Sequence, residues 1–410
     1  MSLKNKLPFH YCWVILVSCC MLVGATVGLV INCKGIFIAS VCADFGCSTS
    51  AFTLYMTIYG LASAVMLSKV SAAFERFNIR LVLTVALLLF CLSPIMMGSA
   101  KDLKLIYAGG VVQGLAGAFL TFVPAPMLIK NWFNSRRGFA LGICGMSSGI
   151  IGAVMNPVLN EIILKWGWRA GYFSQAAIAF VMAVPFTAFL IIKKPEDIGL
   201  APYGEQQAAK AKTAAASDST QYMSKGFLLC VLYMAVASVV TCYPQQLSNH
   251  AASVGLDSRI GALMLSCAMI GNTGGKAVLG MLSDRFGIKK IGQLAAVITM
   301  CSVLMLAFST KPVVCCFASF LLGACYFSQI IVPPLLVADT VPKSAYDRAY
   351  PKVTMAQMTV VAVTPPIIAA IYDFTHSYKP VFLFGAVMEI MLMLVGAIIS
   401  GIKIRKKETV

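Results

Sequence analysis

Acidic side chains are scarce in this sequence: 15 Asp and Glu in 410 residues, against 32 Lys and Arg, with only 3 His. No paired carboxylates, no nucleophile-base-acid triad and no glycine-rich phosphate loop stand out. His10, His250 and His376 sit singly at the ends of apolar runs. These absences speak against an enzyme. No Cys-x-x-Cys pair occurs among the 15 cysteines. Most of them (Cys19, Cys20, Cys230, Cys301, Cys315, Cys316, Cys325) lie in apolar stretches, where Cys acts as a small hydrophobe. Neither a metal nor any other cofactor is expected. Cys42 and Cys47 are near enough in sequence to pair, and two free thiols is the simpler reading.

Charge of either sign is scarce. Charged residues make up 11% of the chain and hydrophobic ones 59%, with a mean hydropathy of +0.85, which excludes a water-soluble globule. What is present is a series of about twelve apolar segments, approximately 11–33, 51–73, 81–99, 103–129, 138–163, 170–192, 226–247, 259–282, 291–309, 313–337, 350–372 and 380–402. Each can cross a hydrocarbon core of roughly 30 Å as a helix of about 20 residues. The first, after "MSLKNKLPFH", has the basic start and apolar core of a signal peptide. It is too long for one, no small-residue cleavage site stands out, and eleven similar segments follow it.

Twelve spans put both termini on one side. Placing the termini and the even loops inside collects 22 Lys and Arg there, leaves 7 in the opposite loops, and leaves Lys34, Lys69 and Lys276 within spans. Both termini are therefore expected in the cytoplasm. The net charge of +17 is spread over short loops at headgroup level rather than gathered on a folded face, so nucleic acid is not the expected partner. The partners are instead the bilayer and a small solute, and the chain is expected to act as a monomer. Compact loops and the lack of an organelle signal point to a bacterial plasma membrane.

The chain repeats itself. "SAAFERFNIRLVL" (71–83) aligns with "GMLSDRFGIKKIG" (280–292), matching Glu75 to Asp284, Arg76 to Arg285 and Arg80 to Lys289 at an offset of 209; Pro157 falls on Pro366 at the same offset. This implies two six-span halves, 1–193 and 226–410, as in transporters built from related repeats. Between them 194–225 is the only long polar stretch, a cytoplasmic linker. The acid-Arg-x-Gly-x-basic turn resembles the signature loop of the major facilitator superfamily. Gly280, Asp284, Arg285, Gly287 and Lys289 are nearly complete. Glu75, Arg76 and Arg80 form a degraded copy with Asn78 where glycine is expected. The resemblance implies an all-α, twelve-helix fold of two six-helix bundles, with these charges gating the rocking of the halves.

A charge inside the bilayer costs at least about 2.5–3.5 kcal/mol, so it usually faces a wet cavity or a partner. Lys34 follows more than twenty apolar residues in "LVINCKGIF". Lys276 stands in "MIGNTGGKAVLG", two turns before Asp284, or ~12 Å by helical rise. Snorkelling to the nearer surface is the alternative for both, and the better reading for Lys69. Gly271, Gly274, Gly275 and Gly280 crowd the turns around Lys276, letting helices close in or leaving room for a solute. No carboxylate lies within a turn of either lysine, and Glu389 is the exception to acid-free deep spans. An unpaired cation invites an anion.

At these residues the chain resembles a narrower group. Lys34-Gly-Ile-Phe, Asn272-x-x-x-Lys276-x-x-x-Gly280, "NWFNSRRGFALGICGMSSGIIG", "GWRAGYF" and "KKPEDIGLAPYGE" are similar to the monocarboxylate transporters and oxalate:formate antiporters. There a first-span lysine and an eighth-span arginine bind the carboxylate, and they fall on Lys34 and Lys276. Three departures matter. Lys276 lacks the planar fork of arginine. Asn272 replaces the aspartate of proton-coupled members, which favours exchange or uniport over proton symport. Gln357 stands where the oxalate exchangers place another lysine. The expected activity is transport of a mono- or dicarboxylate, with a counter-anion or proton as the coupling partner. Asn32, Tyr55, Tyr59, Gln113, Tyr243, Asn272, Tyr326, Gln329 and Gln357 are candidate lining residues. Export of a larger amphipathic anion or drug is the runner-up, and a non-transporting sensor the rival of another class.

Overall fold

The computed structural model describes residues 10–121, 123–133, 137–204, 225–330, 332–341 and 346–401, and among these every regular element is helical. Eleven helices are long and apolar enough to cross a membrane. One of them, Ala140–Leu190, runs 51 residues and is interrupted at Gly167, where φ is +82°. A side chain there would be strained, so the glycine ends one crossing and starts the next. The twelve crossings are α1 (Cys12–Phe45), α2 (Thr49–Arg76), α3 (Ile79–Gly98), α4 (Leu103–Ile129), α5 (137–166), α6 (168–190), α7 (Lys225–Ser253), α8 (Ser258–Phe286), α9 (Ile288–Phe308), α10 (Pro312–Ile330, continued by Val332–Thr340), α11 (Tyr346–Thr375) and α12 (Lys379–Gly401). The chain folds as two compact units, Met1–Lys210 and Ala211–Val410.

Hydropathy ends the first segment near residue 33, whereas α1 continues to Phe45 and closes on Gly46, left-handed at φ +58°. Lys34 thus stands inside the helix. Its surroundings are irregular: Gly24–Ile31 is wound as a π-helix, and a turn at Asn32–Lys34 precedes the regular stretch Gly35–Phe45. Packing explains the position. A Cβ at Gly28 would come within 2.8 Å of the Ser148 carbonyl, and Asn32 Nδ2 donates to that same oxygen at 3.2 Å. The wide turn therefore locks α1 onto α5 just before the lysine.

Inside each unit one backbone contact recurs at the offset of 209. Gly114 on α4 lies so close to α2 that a Cβ would strike the Tyr59 carbonyl, Ala62 and the Ser63 nitrogen. Gly323 on α10 lies in the same way against α8, at the Ala268 carbonyl, Gly271 and the Asn272 nitrogen. Only glycine permits such an approach.

The first part of the linker is folded, a departure from a polar tether over all of 194–225. Ile191 to Tyr203 runs as a strap across the end of unit 1, with a 3₁₀ turn at Pro195–Ile198 and left-handed Gly199. Trp132 Nε1 donates to the Ile192 carbonyl (2.8 Å), Asn131 Nδ2 to the Lys193 carbonyl (3.0 Å) and the Tyr203 N–H to the Trp132 carbonyl (2.8 Å). His10 Nε2 donates to the Ala201 carbonyl, and the rings of His10, Trp13 and Phe133 surround Tyr203. "NWF" and "KKPEDIGLAPY" are thus two sides of one contact. Linker positions such as Lys210 and Lys212 lie outside the described residues.

At the opposite end of unit 1, "GWRAGYF" closes the bundle. Trp168 Nε1 and the Arg169 guanidinium both reach Asp44 Oδ2, at 3.1 and 2.9 Å. Tyr172 stacks on Phe37 with ring centroids 4.0 Å apart.

Candidate anion-binding lysines

Lys34 is 5% exposed. Its ammonium lies 4.0 Å from the centroid of the Tyr59 ring and 5.3 Å from that of Tyr55, both on α2. Among the described residues no carboxylate and no hydrogen-bond acceptor engages it. A cation over an aromatic face gains roughly 0.5–2 kcal/mol, less than the cost of a charge at membrane depth. The rings position the ammonium without neutralising it.

Lys276 is half-buried on α8, with its ammonium 5.6 Å from the centroid of the Tyr326 ring on α10. No ion pair or hydrogen bond to it exists among the described residues either. The glycines around it divide by face. Gly271 is pressed onto the Phe320 backbone and a Cβ at Gly275 would meet Ala324 at 3.4 Å, while a Cβ at Gly274 or Gly280 would meet nothing within 4 Å. One face of α8 seals against α10 and the other stays open. One turn before Lys276, Asn272 is buried with its Oδ1 unpartnered.

Of the other lining candidates, Gln113 is buried on α4 with Oε1 unpartnered. Three have structural partners: Asn32 holds Ser148, Tyr243 donates its hydroxyl to the Val381 carbonyl at 2.9 Å, and Gln329 reaches Ser238 Oγ at 3.4 Å. Gln357 is half-buried on α11. The structure brings Lys34 together with Tyr55 and Tyr59, and Lys276 together with Tyr326.

The family model of the Major Facilitator Superfamily matches residues 16–251 and again 226–409. The chain belongs to the major facilitator superfamily. Among relatives of this facilitator, Multidrug resistance protein MdtG of Enterobacter lignolyticus (strain SCF1) is 22% identical, covering 94% of this chain and 90% of the relative. Monocarboxylate transporter 12 of Xenopus laevis is also 22% identical, covering 76% of this chain and 72% of the relative. The crystal structure of the nucleoside transporter NupG superposes with a TM-score of 0.74 at 12% identity, covering 96% of this chain and all of that one, which is a likeness of fold. The protein is a multi-pass membrane transporter.

The facilitator signature loops differ between the units. Gly287 joins α8 to α9 at φ +88°. At the same offset Asn78 adopts φ −63° and caps α3 by accepting from the Arg80 N–H. The glycine is dispensable in unit 1 because the turn takes another shape. Glu75 and Arg76 are exposed, and no ion pair joins Glu75 to a described residue. Arg80 donates through Nε to the Ile191 carbonyl of the strap. In unit 2, Arg285 is exposed, with its guanidinium 5.5 Å from the Phe286 ring, and Lys289 lines a crevice with Tyr233 and Gln293. The Asp284 side chain lies outside the described residues. Cys42 and Cys47 are not joined in a disulfide.

Trp132, Tyr203 and Asp44 were not singled out from sequence, although the segments holding the first two were. A fully buried Trp132 between "KN" and "FNSRR" was the available signal.

Proposed function

We propose that this facilitator carries a small organic anion, a mono- or dicarboxylate, across the plasma membrane by alternating access, with Lys34 and Lys276 as its anion contacts. One observation carries the reading. Each unit holds a lysine at membrane depth whose ammonium touches aromatic rings and no acid among the described residues. A carboxylate supplies the missing charge and two acceptors for the remaining N–H donors. Asn272 cannot titrate and so brings no coupling proton of its own, which favours exchange or uniport over proton symport, with the two lysines as the site's remaining titratable groups. The likeness to a monocarboxylate transporter supports this cargo. The likeness to MdtG supports a second reading, efflux of a larger amphipathic anion or drug.

Counterflow in proteoliposomes loaded with a panel of carboxylates separates the two. Accumulation of a labelled short-chain carboxylate, lost in Lys34→Gln and Lys276→Gln, is expected. Counterflow with amphipathic anions alone overturns the carboxylate reading in favour of efflux. No flux with any of them favours a sensor.

A further inference from the structure

A cavity of about 400 Å³ opens beside the strap of unit 1, between Phe77–Arg80 on one side and Ile191–Ile198 on the other. That volume is within the range of roughly 300–1,000 Å³ usual for small-ligand sites. Its depth in the membrane is fixed by the helices that flank it. α3 begins at Ile79 and the apolar run of α6 ends at Leu190, so the walls of the cavity sit where hydrocarbon gives way to headgroups.

The chemistry of the walls is mixed in a particular way. Arg80 and Lys193 both line the cavity. Each gives one donor to a backbone carbonyl, Arg80 to Ile191 and Lys193 to Phe74. A guanidinium has five N–H donors and an ammonium three, so most of their capacity is uncommitted. Asp197 also lines the cavity, but its Oδ2 accepts from the Lys194 N–H, and the lining keeps a net positive charge. Apart from Asn78 the rest of the wall is apolar, with Phe77 56% exposed; just below, on the membrane side, Leu81 and Phe189 are 62% and 75% exposed. Cations above and open apolar surface below match a phosphodiester headgroup with its acyl chains.

Unit 2 provides an internal control. At the offset of 209 Arg80 falls on Lys289, whose crevice holds only about 10 Å³, room for a single water. Tyr233, Gly396 and Gln293, which donates to the Met393 carbonyl, close it. The basic side chain recurs, and among the described residues the larger of the two spaces is the one beside the strap of unit 1.

We infer that the cavity between Phe77–Arg80 and the strap Ile191–Ile198 binds the headgroup of an anionic phospholipid. Free phosphate esters share the charge but have no use for the apolar wall. Lysines and arginines are attracted to the anionic leaflet, and the positive-inside topology puts this cavity at that leaflet.

The test uses the full-length protein in phosphatidylcholine nanodiscs, titrated with phosphatidylglycerol and read by native mass spectrometry. Phosphatidylglycerol is expected to be retained at least ten-fold over phosphatidylcholine. Ile198→Trp, which fills the cavity and keeps both cations, and Lys193→Gln should each cut that retention about ten-fold, while Lys289→Gln leaves it unchanged. Should the variants not fold, a photoreactive phosphatidylglycerol on the wild type should label peptides 77–80 and 191–198. Equal retention of the two lipids, wild-type retention in both cavity variants, or labelling elsewhere overturns the inference. Competition by glycerol 3-phosphate at concentrations equal to the lipid also overturns it, because the site would then be one for soluble phosphate.

Discussion

The two units share a scaffold and differ in where each keeps its intramembrane cation. At the offset of 209 Lys34 falls on Tyr243 and Lys276 falls on Leu67. The first helix of each unit is irregular at the corresponding place: α1 turns at Asn32–Lys34, and α7 passes through a 3₁₀ turn at Tyr243–Gln246. In unit 1 that irregularity holds an ammonium between two tyrosines. In unit 2 it holds a tyrosine whose hydroxyl is given to the Val381 carbonyl, and the cation has moved to the regular helix α8. The backbone contact at Gly114 and Gly323 is the same in both. Packing through backbone tolerates no side chain and repeats, whereas side chains facing a solute are free to diverge.

The largest expected effect comes from breaking what the units share. Gly323→Ala and Gly114→Ala each force a Cβ into a facing backbone and should destabilise at the upper end of about 1–3 kcal/mol or beyond. Gly274→Ala, in open space, should gain up to about 1 kcal/mol from helix propensity. Thermal unfolding of the three variants measures this, and equal losses at Gly274 and Gly323 would refute the assignment of faces on α8.

Next come the lysines that set the units apart. Removing one charge-assisted bond costs about 1.5–3 kcal/mol, or roughly 10–150-fold in affinity. Lys34→Gln and Lys276→Gln should therefore weaken carboxylate binding by that factor while leaving the fold intact, since each removes a buried charge. If both grip one anion, the double variant should show a coupling of about 0.5–3 kcal/mol. Strict additivity in isothermal titration would separate the two sites. Lys276→Arg should keep much of the activity and shift preference toward smaller or planar carboxylates.

A smaller change is expected at the signature loop of unit 2. Asp284→Asn should slow turnover more than it weakens substrate affinity if, as the resemblance to the facilitator signature implies, the loop biases the conformational equilibrium rather than touching the solute. Lost affinity at unchanged turnover would move this loop from gate to site.

The smallest effect belongs to the Asp44–Arg169 pair, whose side chains are 44% and 46% exposed. Exposed pairs contribute about 0–1 kcal/mol. Asp44→Asn should lower unit 1 stability by no more than that, and by less in high salt. A loss of several kcal/mol in differential scanning calorimetry would mean that "GWRAGYF" closes the bundle through the pair and not through the Phe37–Tyr172 stack.

The candidate site was legible in part. Lys34 and Lys276 stand out because a charge in an apolar run is costly anywhere it is placed. Gln113 and Asn272 could be named as polar residues in spans, yet nothing in their spacing says that an oxygen of each is left unpartnered. Tyr243 and Gln329 were equally plausible from sequence. Their hydroxyl and amide are committed to partners 138 and 91 residues away, a distance over which helical periodicity carries no information.

The sequence by itself determined the number of crossings, the repeat, the sidedness expected from Lys and Arg, and the two cations within the spans. The crossings and the cations within them follow from the transfer free energy of side chains and backbone into hydrocarbon, the sidedness from the charge of the loops, and the repeat from a direct match of residues, all of them legible segment by segment. Only the tertiary structure decided that α1 winds as a π-helix and turns at Asn32–Lys34 before reaching Phe45, that the linker begins as a strap held by Trp132, and that Arg80 borders a cavity while its counterpart Lys289 lines a crevice. Those outcomes depend on which backbones meet, and a meeting of backbones is fixed by the shapes of both partners at once.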